Sequence, residues 1–269
     1  MRTVGKALTI LDLFTEHRPA LSLTEISRAT GIDTATCHRM LKVLERHGYV
    51  SKSPATKHYR LGATVLRLAR TREITTPVSD TLQGIVDDLT EKVGETSHAS
   101  LIAGHQIATV AACQGQRSNR VHVEYGGRIE LHATATGLAC LAYADESLLD
   151  HALAAPMAQF TQTTVTSKNA LSQLVSETRS RGYSIADRSF DADVVGIGAP
   201  FFDAGAKAMG AIAVATPANR MDAQNTLRTA RLVMAAALEA TRGLGGEPPA
   251  DFLQCRSRLA DQSDRTNPI

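Results

Sequence analysis

SLTEISRATGIDTATCHRMLKVLERHGYVSKSPATKHYRL, residues 22–61, holds two short amphipathic segments that meet at Gly31 and a basic, turn-containing ribbon after them. Leu23, Ile26 and Ala29 recur at helical spacing, and Ser22 stands where an N-cap belongs. Gly31 supplies a positive-φ corner between two helices. Asp33 or Thr34 can cap the second helix, which runs to about His47. Cys37, Met40, Leu41 and Leu44 form its apolar stripe, while Ala35, Arg39, Lys42 and Arg46 line the opposite face. Gly48 then stops the helix, Tyr49-Val50 opens a strand, Ser53-Pro54-Ala55-Thr56 turns, and 57–61 returns. Helix, glycine corner, basic helix and basic hairpin, in that order, describe a winged helix-turn-helix. The candidate DNA contacts are Thr34, Ala35, Thr36, His38, Arg39, Lys42 and Arg46 on the second helix, with Lys52, Lys57 and the adjoining His58 on the wing.

Charge points the same way. Residues 1–72 hold 13 Lys and Arg against five Asp and Glu, a net of +8, whereas the other 197 residues hold 16 against 22, a net of −6. A basic head on an acidic body calls for a polyanionic partner at the head, double-stranded DNA. No apolar run approaches the ~20 residues of a membrane span.

At 269 residues two domains are expected, and a hydrophobic content of 43% argues for a folded body. No charged leader followed by an apolar segment opens the chain, so no export signal is read. Cys37, Cys113, Cys140 and Cys255 lie far apart without a CxxC pair, which suits free thiols in a reducing cytoplasm.

Around the head, a first helix is expected over 4–16, with Val4, Ala7, Leu8, Leu11 and Phe14 packing under the other two. A connector helix follows over 64–72, with Val65, Leu66, Leu68 and Ala69 inward, until Thr75-Thr76-Pro77 breaks the pattern. Beyond it the periodicity mixes. Helices are expected over 77–93, 147–154, 168–181 and 222–242, and a turn entering a helix over 131–144. Strands are expected over 97–103, 106–113, 120–125 and from Gly182-Tyr183, with a hairpin of 194–202 and 208–216 across Asp203-Ala204-Gly205. Helices around an antiparallel sheet make this second domain α+β. From Gly243 periodicity is lost, and a mobile tail is expected. The divisions are 1–62 for the DNA-binding domain, 63–76 for the linker helix, 77–242 for the α+β domain and 243–269 for the tail.

GKALTILDLF (5–14), LSLTEISRATGIDTATCHRML (21–41), YRLG (59–62), GET (94–96), LHATATGLACLA (131–142), RGYSIAD (181–187), GIGAPFFD (196–203) and TPANR (216–220) follow one another in an order that resembles the IclR-type bacterial transcriptional regulators. The likeness runs from about Val4 to Thr241. It implies a winged helix-turn-helix joined to a GAF-like effector-binding domain. It also implies a homodimer or homotetramer on a near-palindromic operator, and a small, often carboxylate-bearing effector. A regulator whose C-terminal domain only oligomerises is the alternative.

The chain departs from that pattern informatively. Thr34-Ala35-Thr36 stands where the family often has Lys-Ser-Thr, which shifts phosphate contact toward Thr36, Arg39 and the wing. Leu138 stands at the family's lysine in the His-Ala-Ser/Thr-Ala-x-Gly-Lys-Ala motif, and Asp187-Arg188-Ser189-Phe190 where many members carry paired acids. The candidate effector site comprises Thr134, Ala135, Thr136 and Gly137 at a helix start, Asp187, and the small residues Gly196, Ala213 and Ala215 on late strands. An aliphatic or aromatic organic acid suits it better than a bare dianion.

Catalysis is not expected, and neither a cofactor nor a metal is implied. His98, His105, His122 and His132 share a region but no HxH or HExxH spacing, and imidazoles satisfied by ordinary hydrogen bonds are the simpler reading. Cys140 follows a glycine-containing turn without a GxSxG elbow, which suits a buried structural thiol.

Overall fold

The computed structural model describes residues 3–14, 18–75, 78–123 and 129–264. The chain divides into two compact units, 1–77 and 78–269.

In the first unit α1 (Thr3–Leu11), α2 (Leu23–Thr30) and α3 (Thr34–Arg46) gather around Ile10, Ile26, Cys37 and Leu41, all fully buried. Each large side chain so buried contributes ~1.5–3 kcal/mol. A reciprocal cap starts α2: the Glu25 N–H donates to the Ser22 hydroxyl at 3.3 Å, and the Ser22 N–H donates to the Glu25 carboxylate at 2.7 Å. Gly31, at φ 65°, ends α2 in the left-handed region, and the Asp33 carboxylate accepts from the Thr36 N–H to start α3. The antiparallel hairpin β1 (Val50–Lys52) and β2 (Tyr59–Leu61) follows. Leu21 adds a bridge to it, exchanging two backbone hydrogen bonds of 3.0 and 2.8 Å with Tyr59. The buried Tyr59 ring thereby locks the wing onto the helices.

Two expectations about this unit are corrected. The first helix ends at Leu11, and its inward anchor is Ile10; Val4 and Leu8 are 71% and 55% exposed. At 100° per residue the face centred on Ile10 turns both away. The connector helix α4 (Ala63–Thr75) exposes Leu66, Leu68 and Ile74, where Leu66 and Leu68 were expected inward. Residues 12–14, expected to continue the first helix, are not helical, while Thr15 and Glu16 of that expectation and the break at Thr76-Pro77 lie outside the described residues.

In the second unit five antiparallel strands run in the order β4-β3-β7-β6-β5, with β3 Thr96–Ala103, β4 Gln106–Cys113, β5 Ser184–Asp187, β6 Val194–Phe202 and β7 Ala208–Pro217. α5 (Val78–Val93) and α9 (Ala223–Gly243) cover the face bearing Ile197, Ile212 and Val214. α6 (Ala135–Tyr143) begins on the opposite face, where Ala135 packs with Ala186 and Ala213. α7 (Glu146–Ala154) and α8 (Lys168–Arg181) follow α6, and α8 packs against it. This is a helix-covered antiparallel α+β domain of the expected class.

The expected tail is a helix instead. α10 (Ala250–Asp264) buries Phe252, Cys255 and Leu259, while 265–269 lie outside the described residues. The expected strand over 120–125 is absent from 120–123, which run without regular structure; Glu124 and Tyr125 lie outside the described residues. The four cysteines are free thiols. No helix among the described residues is long and apolar enough to cross a membrane.

Candidate DNA-reading surface and effector cavity

α3 sets its candidate contacts by helical periodicity. Cys37 and Leu41 face the core, so Thr34, Ala35, Arg39, Lys42 and Arg46 stand exposed, with Thr36 and His38 half-buried beside them. Arg39 is pre-positioned, its Nη2 donating to the Thr36 hydroxyl at 3.0 Å. On the wing Lys52 lies with its Nζ 5.1 Å from the centre of the Tyr59 ring, and Lys57 is exposed in the turn at φ 60°. His58 has partners within the unit. Its Nε2 lies 3.9 Å from the Glu25 carboxylate, and its Nδ1 lies 2.9 Å from the Thr56 carbonyl. Arg60, exposed on β2 and paired in register with Ser51, is a cation of the wing that periodicity alone did not single out.

The second unit holds a cavity of about 360 Å³ on the α6 face of the sheet. Strand register builds its floor. His98, Ala213, Gly198 and Ser184 form one cross-strand row, and Thr96, Ala215, Gly196 and Ala186 the next. Small side chains in both rows leave the room: a Cβ on Gly196 would already stand 3.0 Å from the Cβ of Ala135. Six of the eight sequence candidates line the cavity, namely Thr134, Ala135, Thr136, Gly196, Ala213 and Ala215.

The other two do not. Gly137 lies in the first turn of α6, where a Cβ would meet the Leu131 carbonyl oxygen at 2.5 Å; close packing is what requires glycine there. Asp187 is exposed and paired with Arg188 at 3.1 Å. Asp191 and Phe190, further along the same loop, line the cavity instead. His98, Thr109, His122, Val121, Val123 and Glu130 complete much of the wall. Their placement follows from register and loop path, which leave no local mark in sequence.

α6 starts with its cap closed and two donors spare. The Thr134 hydroxyl accepts from the Gly137 N–H at 3.1 Å, whereas the Ala135 and Thr136 N–H groups have no acceptor among the described residues. The Thr136 hydroxyl meets His98 Nε2 at 2.9 Å. Burial pushes the His98 pKa down to about 4, so its ring is neutral at pH 7. No Lys or Arg lines the cavity among the described residues, and the carboxylates at its wall are Glu130 and Asp191.

The other histidines diverge. His105 and His151 stack on the surface with ring centres 4.5 Å apart, His122 meets Gln114 at 2.8 Å, and buried His132 meets the Ala158 carbonyl at 2.9 Å. No metal-ligating group of three or more gathers among the described residues. Burial raises the Cys140 thiol well above its ordinary range.

A helix-turn-helix with a paired wing and an exposed basic helix face, followed by a separate α+β unit, defines a DNA-binding transcriptional regulator. The chain belongs to the IclR family: the IclR helix-turn-helix domain matches residues 3–54, and the bacterial transcriptional regulator IclR C-terminal domain matches 74–242. It is 27% identical over 246 residues to the HTH-type transcriptional regulator XynR of Escherichia coli, across 91% of this chain and 98% of that protein. A solved IclR-type regulator from Silicibacter sp. TM1040 is 34% identical, with TM-score 0.82 over 94% of this chain and 99% of that one. An IclR homologue from Microbacterium hydrocarbonoxydans, solved in complex with 4-hydroxybenzoate, shares the fold at 20% identity and TM-score 0.58, over 91% and 99% of the two chains. The family consists of regulators and not of enzymes.

Proposed function

We propose that this regulator controls a catabolic operon, binds a near-palindromic operator as a dimer or tetramer, and answers to a small monocarboxylic acid. One observation carries the ligand reading. Two unaccepted backbone N–H groups, on Ala135 and Thr136, belong to residues lining a cavity of about 360 Å³ that has no cationic side chain. Two such donors with the helix dipole behind them suit one carboxylate. A second carboxylate would find no cation and would meet Glu130 and Asp191. The apolar remainder of the acid then lies against Ala186, Gly196, Ala213 and Ala215. 4-Hydroxybenzoate, which the Microbacterium homologue binds, has this chemistry.

At the DNA, Arg39, Lys42 and Arg46 serve as contacts from α3, with Thr34, Ala35, Thr36 and His38 near the helix start. Lys52, Lys57 and Arg60 hold phosphate from the wing. The exposed Leu66, Leu68 and Ile74 of α4 support self-association, which a two-fold operator demands. An effector that binds one spacing of the paired heads better than another shifts the population between them.

Thermal melting with benzoate, 4-hydroxybenzoate and short aliphatic acids tests the reading. A ligand at a hundred times its Kd stabilises by about 2.7 kcal/mol, a readable rise in Tm. Ala213→Leu, which fills the cavity floor, should abolish the rise and leave DNA binding intact. No rise with any acid favours a C-terminal unit that only assembles the oligomer.

A further inference from the structure

Glu95 is almost fully buried in the second unit, and two arginines pair with its carboxylate. Arg220, in the single helical turn Ala218–Arg220 after β7, grips it in a fork, Nε to Oε1 and Nη2 to Oε2, both at 2.7 Å. Arg117 donates to Oε1 at 3.0 Å. The Arg220 guanidinium also reaches the Asn119 carbonyl at 2.7 Å. Next to Glu95, the Thr96 hydroxyl accepts from the Gly115 N–H at 3.1 Å and donates to the Val121 carbonyl at 2.7 Å.

These contacts converge on one segment. Residues 114–123 have neither helix nor strand, and most of them are exposed. The segment leaves the end of β4, crosses Glu95 and Thr96, and delivers Val121, His122 and Val123 to the cavity wall. With no ladder of its own, it owes its path to side chains. A bidentate arginine on a desolvated carboxylate fixes direction as well as distance, and removing one partner strands the other. GET and TPANR, the two sequence motifs otherwise without a task, meet here as Glu95 and Arg220.

We propose that Glu95 and Arg220 are positioning residues that clasp segment 114–123 as the closing wall of the effector cavity. The proposal rests on the cavity being the effector site. Opening the clasp frees the strap and spoils the cavity without touching the α6 donors or α3.

Limited trypsin digestion of the full chain, with fragments weighed, reads the strap directly, because the bonds after Arg117 and Arg120 lie within it. Arg220→Ala should speed cleavage there at least ten-fold relative to the bond after Arg181, at the end of α8. Glu95→Gln, which keeps the shape and removes the charge, should act the same way more weakly. Equal acceleration at all three bonds, or none, in both variants overturns the clasp. The second arm is 4-hydroxybenzoate titrated by calorimetry. If the wild type binds it, Arg220→Ala should weaken it at least ten-fold, and unchanged affinity beside faster strap cleavage overturns the link to the cavity. A wild type that binds neither this acid nor benzoate sinks the organic-acid reading, while the cleavage ratio still decides the clasp.

Discussion

His98 and Thr136 share a hydrogen bond of 2.9 Å that ties the sheet to the first turn of α6 at the cavity wall. The bond exists on a neutral ring, since burial pushes the His98 pKa down to about 4 and Nδ1 is buried with no partner among the described residues. The unfolded chain takes up this proton near pH 6.5 and the folded one only near 4. Stability from this group is therefore complete above pH 6.5 and lost as pH falls from there toward 4. The loss is at most about 3 kcal/mol, by the conversion of a pKa shift into free energy. Urea unfolding at pH 7.5 and 4.5 checks it: His98→Gln should show a smaller drop between the two than the wild type. Equal drops would place the acid sensitivity elsewhere.

The stripe of Arg39, Lys42 and Arg46 is exposed while Cys37 and Leu41 behind it are buried, so its cations can be removed without touching the core. Arg39→Ala and Lys42→Ala should each weaken operator binding at least ten-fold and leave the unfolding midpoint unchanged. Each lost phosphate contact lowers the slope of log K against log salt by about 0.9, and a symmetric dimer loses it twice. Fluorescence anisotropy at several salt concentrations reads that slope. A parallel line for Lys42→Ala would show that Lys42 holds no phosphate.

Gly31 sits at φ 65° with nothing within 4 Å of the Cβ an alanine would add, so its cost is conformational alone. Gly31→Ala should destabilise the first unit by about 1–2 kcal/mol, the penalty of a side chain in the left-handed region. Denaturant unfolding measures the loss, and DNA affinity measured well below the melting temperature should stay near wild type.

Local signals carried the fold wherever they were complete. α8 begins at the Ser167 cap and ends at Gly182, and its whole length is legible from those two residues and the spacing between them. Likewise, Ser22, Gly31 and Asp33 delimit the two helices they flank. The cavity was legible only where one local element builds it, at the start of α6 and in the small residues of β6 and β7. His98, Phe190 and Asp191 reach it through strand pairing and loop path, and those are properties of the folded sheet. Val121 and Val123 alternate like a strand, but segment 114–123 has side-chain anchors in place of a ladder. The helix at 250–264 does have a local signal. Pro248-Pro249 breaks α9's pattern yet suits the residues just before a new helix, and Phe252, Cys255 and Leu259 recur at helical spacing.

α10 offers the sharpest stability test, because its two kinds of contact differ so much in worth. Phe252 is fully buried and meets Phe202 and Tyr143 edge-on, at ring-centre distances of 5.0 and 6.0 Å. Deleting such a ring removes burial, leaves a cavity and breaks two aromatic pairs, so Phe252→Ala should cost about 3–5 kcal/mol. Asp251, one residue away, pairs with Arg179 at 3.0 Å, but both side chains are substantially exposed. Asp251→Ala should therefore cost less than about 1 kcal/mol, the usual range for such a pair in water. Urea denaturation followed by far-UV circular dichroism separates the two variants. If α10 is integral to the second unit, Phe252→Ala moves its midpoint sharply and Asp251→Ala barely does. If the segment were a loose tail, neither substitution would move it, and removal of residues 250–269 would be silent as well.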